Sequence, residues 1–472
     1  MDFRLKSLQR LATIQNLLAA ALLLKFTRYT VYPPFWDASS YLLMGKYLFS
    51  GGSAGLIEPF RPIVWPLTLG FFWKSGVDQI LAGRLLEIFL GVGNIALVYA
   101  IGVRAFDRTV GLLAAALLAL SPTFFIWGNS LYADIPASFL GLLCVYLFLK
   151  DRPFLSGAVG AVAFFTKFPQ ILPLAIVVGA LSFQTKPFRF SMALWRFSAA
   201  FILASLPFLI LHQTLYGHPF YPFIDGLKSY PRFLTAWPEG MLKCVAKLLG
   251  EECWLLGLAL LEFKRFAAAP RCRKNIAILL AGMLSLVWVG KFGSDHHRLT
   301  VTALPYLYLS CSAALADLRR GWWPQRRAFA GALLAITFAA IGSQTLTIAS
   351  MRFPENELMP FQRYILQHAP VLHGKNIWVS GPKYLVFTDL PAGELMYDPT
   401  VNTQEIAALR RKLSQADYIF LDSRDLPCNP PADELCRQAR RQLITEIERD
   451  FIGEFYAENP ELGITVGVFR KK

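Results

Sequence analysis

The sequence predicts a polytopic α-helical membrane protein with a small α/β domain at its C-terminal end. Three observations carry that prediction. Of 472 residues, 55% are apolar and only 17% charged, too apolar a balance for a water-soluble chain. Uncharged runs of bilayer-compatible length recur from residue 11 to residue 348. Lys and Arg fall in small clusters between those runs, as in cytoplasmic loops. The net charge of +15 is therefore dispersed among loops, not gathered into a groove for a polyanion, and no nucleic-acid partner is expected.

Taken in order, residues 11–26 form the first span. Arg4, Lys6 and Arg10 precede it, and no small-residue cleavage site appears before Lys25, so it reads as an uncleaved anchor. Next comes a loop over 30–62, containing PPFWDASSYLLMGKYLFSGGSAGLIEPFRP. It offers a short amphipathic helix over 38–49, a break at Gly51-Gly52, and then Glu58 and Arg61 among prolines. Residues 63–73 are apolar but short and carry Pro66, which suits a re-entrant or interfacial piece on the same side as the loop.

The second span runs from Arg84 to just before Arg104, the third over 110–127 and the fourth over 135–149. The fifth and sixth, 155–165 and 168–183, form a tight pair with Thr166-Lys167 at the tip. The seventh covers 197–215, the eighth 241–261 with Glu251-Glu252 in its middle, the ninth 276–289, the tenth 299–315 and the eleventh 328–348. With about eleven spans, the basic clusters at 4–10, 104–108, 150–152, 186–196, 264–274 and 319–327 all share one face. That parity predicts an inner- or plasma-membrane protein with a cytoplasmic N-terminus and an extracytoplasmic C-terminal domain. Asp37, Glu58, Asp134, Lys167, His218, Asp225 and Asp295 then gather on the outer face.

From about Arg352 charges become dense, giving a membrane domain over 1–350 and an α/β domain over 351–472. Strand signals occur at 376–379 and 417–421, helical patterns at 403–413 and 432–449, and a hairpin around Asn459-Pro460. Cys428 and Cys436 are a candidate disulfide if this domain lies outside the cytoplasm. Cys144, Cys244, Cys253, Cys272 and Cys311 sit in or beside apolar runs and read as packing residues.

Each candidate for chemistry also has a plainer reading. Asp37, at a membrane exit beside aromatic rings, suits a general base and equally an N-cap for the helix over 38–49. Arg61 suits a phosphate oxygen through paired donors, or a headgroup-level arginine, with Glu58 beside it. Asp134 opens a span in YADIP, where a cap is the simpler role. Arg298 closes the polar run DHHR before a span and suits a phosphate or a solvated loop. His218 in GHPFYPF reads as structural, or as a metal ligand if acids converge on it. Arg84 and Glu87, three apart on a helix, read as a pair near the membrane surface.

The motifs FWDASSY, EPFRPIVWPLTLGFF, AGRLLEIFLGVGNIALVYAIGVRAF, ALSPTFFIWGNSLYADIPASF, AFFTKFPQILPL and HHRLTVTALPYL occur in this order over the first 350 residues or so. Together they resemble the C-type glycosyltransferases, and within these the protein O-mannosyltransferases and the lipid A aminoarabinose transferase. The resemblance implies a polyprenyl-phosphate-linked sugar as donor and an inverting transfer outside the cytoplasm. The acceptor would be a lipid, glycan or protein hydroxyl. It implies that Asp37 is the general base and that Arg61 and Arg298 hold the donor phosphate, with Glu58, Asp134 and Lys167 as further substrate contacts. Two positions depart from the family pattern: Ala38 stands where a second acid is common, and Phe60-Arg61-Pro62 stands for His-Pro-Pro or Lys-Pro-Pro. Metal dependence differs among relatives, so no cofactor is assigned and a divalent metal, with His218 as its candidate ligand, stays open. The alternatives are a transporter of lipid-linked glycans, which usually places charges at the bilayer midplane, and a polysaccharide polymerase or ligase.

Overall fold

The computed structural model describes residues 2–26, 34, 36–182, 191–229, 242, 246, 272–290, 294–320, 324–350, 359–391, 413, 415–422, 434–459 and 464–472. The chain divides into two compact units. One comprises Met1–Tyr32, Phe60–Trp65 and Arg84–Arg352; the other comprises Pro33–Pro59, Pro66–Gly83 and Phe353–Lys472.

Apolar sequence deprived of water can satisfy its backbone only within helices, and the first unit is built of them. In chain order the α-helices among the described residues are α1 (Asp2–Phe26), α2 (Trp36–Ser50), α3 (Val64–Lys74), α4 (Gln79–Ala105), α5 (Arg108–Leu120), α6 (Pro122–Ile126), α7 (Asp134–Leu149), α8 (Pro153–Thr166), α9 (Ile171–Ser182), α10 (Met192–Tyr216), α11 (Tyr221–Ser229), α12 (Cys272–Gly290), α13 (Leu304–Arg320), α14 (Pro324–Ser350), α15 (Met359–Leu372) and α16 (Glu434–Asp450). The core of the first unit takes Ile95 and Val98 from α4, Leu117 and Leu118 from α5, Leu142 and Val145 from α7, and Leu307 and Leu309 from α13. Around it, α8 packs on α7 and α10, α12 on α9, and α13 on α5 and α12.

Local signals explain the helix ends. The Asp107 carboxylate accepts from the amides of Thr109 (2.8 Å) and Val110 (3.1 Å) and so caps α5. The expected third span over 110–127 is not one helix. Pro122 brings no amide hydrogen, and the Ser121 hydroxyl accepts from Phe124 N–H at 3.1 Å, so a new helix starts there and the chain bends by 60°.

Among the described residues the apolar helices fall into two length classes. Gln79–Ala105, Met192–Tyr216 and Gly331–Ser350 are long and apolar enough to cross a membrane, and the bent pair Arg108–Leu120 with Pro122–Asn129 adds a fourth if counted as one span. Thr13–Phe26, Asp134–Leu149, Pro153–Thr166, Phe168–Ser182 and Ile276–Trp288 are apolar but shorter. On α10 the side chains of Trp195, Ile202, Leu203 and Ile210 are exposed, an apolar outer face that suits lipid. The expected eighth span over 241–261 lies, except for Leu242 and Ala246, outside the described residues.

In the second unit α2 and α3 meet through glycines. A Cβ on Gly45 would stand 2.6 Å from Gly70 N, and one on Gly70 would stand 2.5 Å from Gly45 O, so neither position has room for a side chain. The C-terminal part carries a four-stranded sheet in the order β1-β2-β4-β3, with β1 Ile377–Val379, β2 Tyr418–Asp422, β3 Phe451–Asn459 and β4 Ile464–Lys471. β1 runs parallel to β2, while β4 is antiparallel to both β2 and β3. Leu443 and Ile447 of α16 pack with Ile419 and Leu421 of β2 and Phe469 of β4. Both expected strands, the helix near 432–449 and the terminal hairpin are present. The expected helix over 403–413, except Leu413, and the Cys428–Cys436 pairing lie outside the described residues.

Candidate functional site

In the second unit, α2 begins at Trp36, so Asp37 stands inside the first turn and does not cap a helix starting at 38. It is half-buried there, where the positive end of the helix dipole favours an anion. Ser40, one turn further on, is fully buried and donates its hydroxyl to Glu58 Oε1 at 2.7 Å. Glu58, 4% exposed, is thereby tied to the part of α2 next to Asp37.

Lys46 anchors the far half of the same helix. Its ammonium group donates to the carbonyls of Val386 (2.9 Å) and Thr388 (2.8 Å) and lies 3.0 Å from Asp389 Oδ1. Burial pulls the Lys46 amine below its ordinary value of 10.5, against the opposing pull of Asp389. Between the folded value and 10.5 the unfolded chain then binds more protons, so this group's contribution to stability rises with pH through that window. Lys46→Met leaves two buried carbonyls without a donor and should cost about 1–3 kcal/mol. The melting-temperature gap between wild type and Lys46→Met is expected to widen from pH 7 toward pH 10. A constant gap would count against a buried charged amine.

In the first unit the chain from α6 to α7 collects three of the candidate residues. Asp134, 3% exposed, starts α7 and forms an ion pair with Lys167, whose extended backbone ends α8. Two residues earlier, the guanidinium of Arg298 lies 4.3 Å from the centroid of the Tyr132 ring. Tyr132 is buried and stands 5.6 Å from the Trp127 ring. Arg298 belongs to a 3-10 segment, Ser294–Thr302, that leads into α13. Residues 127–134 thus bring together an acid, a lysine and an arginine from three distant segments. Arg61 belongs to the same unit, is 6% exposed, and lies 5.2 Å from the centroid of the Phe60 ring.

Glu87 lies within electrostatic reach of Arg84, as its spacing predicts, but not at a surface. It is fully buried, and its Oε2 accepts the amide hydrogen of Leu131 at 2.8 Å. His218 is exposed, and its Nδ1 accepts from Phe220 N–H at 3.2 Å, a local turn contact. Among the described residues no group of three or more His, Cys, Asp and Glu is placed to hold a metal ion, so His218 gains no ligand set there. Ser40, Lys46, Tyr132 and Glu87 do not stand out as site residues in the sequence. Lys46 does carry a signal, being a charge alone among apolar helical neighbours, and Glu87 carries one as an acid inside a long apolar helix.

A family model described as dolichyl-phosphate-mannose-protein mannosyltransferase matches residues 61–211, which include Asp134 and Lys167. ArnT from Cupriavidus metallidurans, in a structure bound to undecaprenyl phosphate, superposes with a TM-score of 0.63 at 12% identity, covering 96% of this chain and 97% of its own. The chain has the fold of the C-type glycosyltransferase superfamily. The archaeal oligosaccharyltransferase AglB from Archaeoglobus fulgidus, in complex with an inhibitory peptide and a dolichol-phosphate, shares this C-type fold with a TM-score of 0.56 at 12% identity, over 96% of this chain and 74% of its own. Arabinofuranosyltransferase AftD from Mycobacteria matches with a TM-score of 0.52 at 17% identity, over 97% of this chain but only 41% of its own. No curated protein sequence matches this chain.

Proposed function

We propose that this chain is an inverting membrane glycosyltransferase that moves a sugar from a polyprenyl-phosphate donor to an acceptor hydroxyl outside the cytoplasm. In this reading about eleven segments enter or cross the bilayer, with the N-terminus in the cytoplasm and the α/β part outside. The observation that carries the reading is the chain over 127–134, which holds Lys167 on Asp134 and Arg298 on Tyr132. A lysine and an arginine brought from distant segments to one stretch of chain supply the kind of donors that suit the phosphate of a lipid donor. ArnT and AglB, which share the fold, were solved with undecaprenyl phosphate and dolichol-phosphate respectively.

The chemistry needs few groups. The acceptor hydroxyl gives its proton to the Asp37 carboxylate as its oxygen attacks the anomeric carbon from the face opposite the phosphate. The bond from that carbon to the phosphate oxygen breaks, and its electron pair leaves with the polyprenyl phosphate. A phosphate anion is already a stable leaving group, so cations, Arg61 and Arg298, replace a general acid. Glu58 fixes the approach to α2 through Ser40, and Lys167 and Asp134 bound the donor side.

A panel of polyprenyl-phosphate sugars, offered to the full chain in nanodiscs with lipid, glycan and peptide acceptors, tests this. The expected result is release of polyprenyl phosphate matched by an acceptor glycoside of inverted anomeric configuration. Passage of the donor across the bilayer with its sugar–phosphate bond intact would establish a transporter instead.

A further inference from the structure

Leu131 has φ +60°, the left-handed region that a residue with a branched side chain avoids at about 1–2 kcal/mol. It is fully buried, so no solvent contact offsets that cost. Two side chains from distant segments hold its peptide groups. The Glu87 carboxylate accepts its N–H at 2.8 Å, and the Trp65 indole N–H donates to its carbonyl at 3.0 Å. Both are themselves buried, Glu87 at 0% exposure and Trp65 at 2%.

A carboxylate in the third turn of a membrane-length helix is costly to bury, and structures retain such groups where they serve a site. Glu87 spends one oxygen on a backbone amide, while Oε1 makes no hydrogen bond. Lys25, Arg84 and Asp134 lie within its electrostatic reach. Lys25 braces the same stretch of chain. Its carbonyl accepts from Asn129 Nδ2 at 2.8 Å and its ammonium donates to Phe124 O at 3.3 Å. A Cβ on Gly128 would stand 2.2 Å from Lys25 Nζ, so a side chain there would push the end of Lys25 aside.

The next three residues of the chain give the clamp its purpose. Tyr132 carries Arg298 on its ring, and Asp134 carries Lys167. The left-handed step at 131 decides the direction in which both leave the turn. A relaxed Leu131 at negative φ would swing the next peptide plane by about 100° or more and carry the two residues with it.

We propose that Glu87 and Trp65 are positioning residues that hold Leu131 left-handed, and so aim the Tyr132–Arg298 and Asp134–Lys167 pairs at the donor phosphate. The aim at a phosphate rests on the glycosyltransferase reading; the clamp itself does not.

The test uses the full chain in nanodiscs, with Glu87→Gln, which keeps an acceptor oxygen, Glu87→Met, which does not, and Trp65→Phe, which loses the indole donor along with part of the buried ring. Two quantities are read: hydrogen exchange of the amides over 130–134, and turnover of whichever polyprenyl-phosphate sugar the wild type accepts. Glu87→Met should speed exchange at Leu131 by about tenfold or more and lower kcat by about 10–100-fold. Glu87→Gln should restore both to within about threefold of wild type, since neutral oxygen still accepts the amide. If Glu87→Met does not fold, Trp65→Phe should reproduce a smaller loss with the same sign in both readouts. Equal damage from Gln and Met would make Glu87 a charge partner for Lys25 and overturn the clamp. Unchanged exchange in Met and Phe variants would do the same, and faster exchange with full turnover would remove the positioning role. If the wild type transfers no sugar, the glycosyltransferase reading fails while the exchange measurement still decides the clamp.

Discussion

Asp37→Asn is expected to lower sugar transfer by about 10²–10⁴-fold while the donor still binds within about threefold of wild type. The substitution keeps size and shape and removes the one thing a general base needs, a site for the acceptor's proton. Asp37 lies in the first turn of α2, not ahead of it, and the charge–dipole contact that an amide gives up there is worth a few tenths of a kcal/mol. Loss of turnover with an unchanged melting temperature separates the base from a structural cap. The measurement is product formation against donor binding, each on the purified chain in nanodiscs. Full turnover in Asp37→Asn would move the base elsewhere, with Glu58 the next carboxylate to test.

Lys167→Met is expected to destabilise the protein by about 3–5 kcal/mol, the second large effect. Asp134 is 3% exposed and its carboxylate is paired with Lys167. Without the lysine, a charge stays buried with no counter-ion. The double variant Asp134→Asn/Lys167→Met removes that charge and should recover most of the stability, because a neutral amide is far cheaper to bury than a lone carboxylate. It should not recover transfer, since the lysine proposed to meet the donor is gone. Thermal unfolding of the wild type, each single variant and the double variant closes this cycle. Additive single effects would mean that the two side chains do not act as a pair.

How far the sequence alone discloses this molecule depends on the range of the interactions. Apolar runs and their flanking charges are local, so most helices of the first unit, the strands near 377 and 418 and the final hairpin are legible. The helix break at Ser121-Pro122 is hidden because composition stays apolar there while proline removes an amide. The Asp134–Lys167 pair spans 33 residues of sequence, and spacing says nothing at that distance. Glu87 reads as a partner of Arg84 because an i,i+3 neighbour is the only partner a sequence displays; its true acceptor role lies 44 residues away. A left-handed leucine gives no sign in the sequence, since glycine or asparagine is the residue that would have announced it.

The contacts of Lys46 have a consequence for how the protein is made. The carbonyls that receive its ammonium lie 340 and 342 residues further along the chain. At about 5–20 residues per second a ribosome needs roughly 20–70 s to reach them. Throughout that interval the helix bearing Asp37 has emerged but lacks its anchor, so the acidic end of the proposed reaction is locked in place only after Val386 and Thr388 have been made.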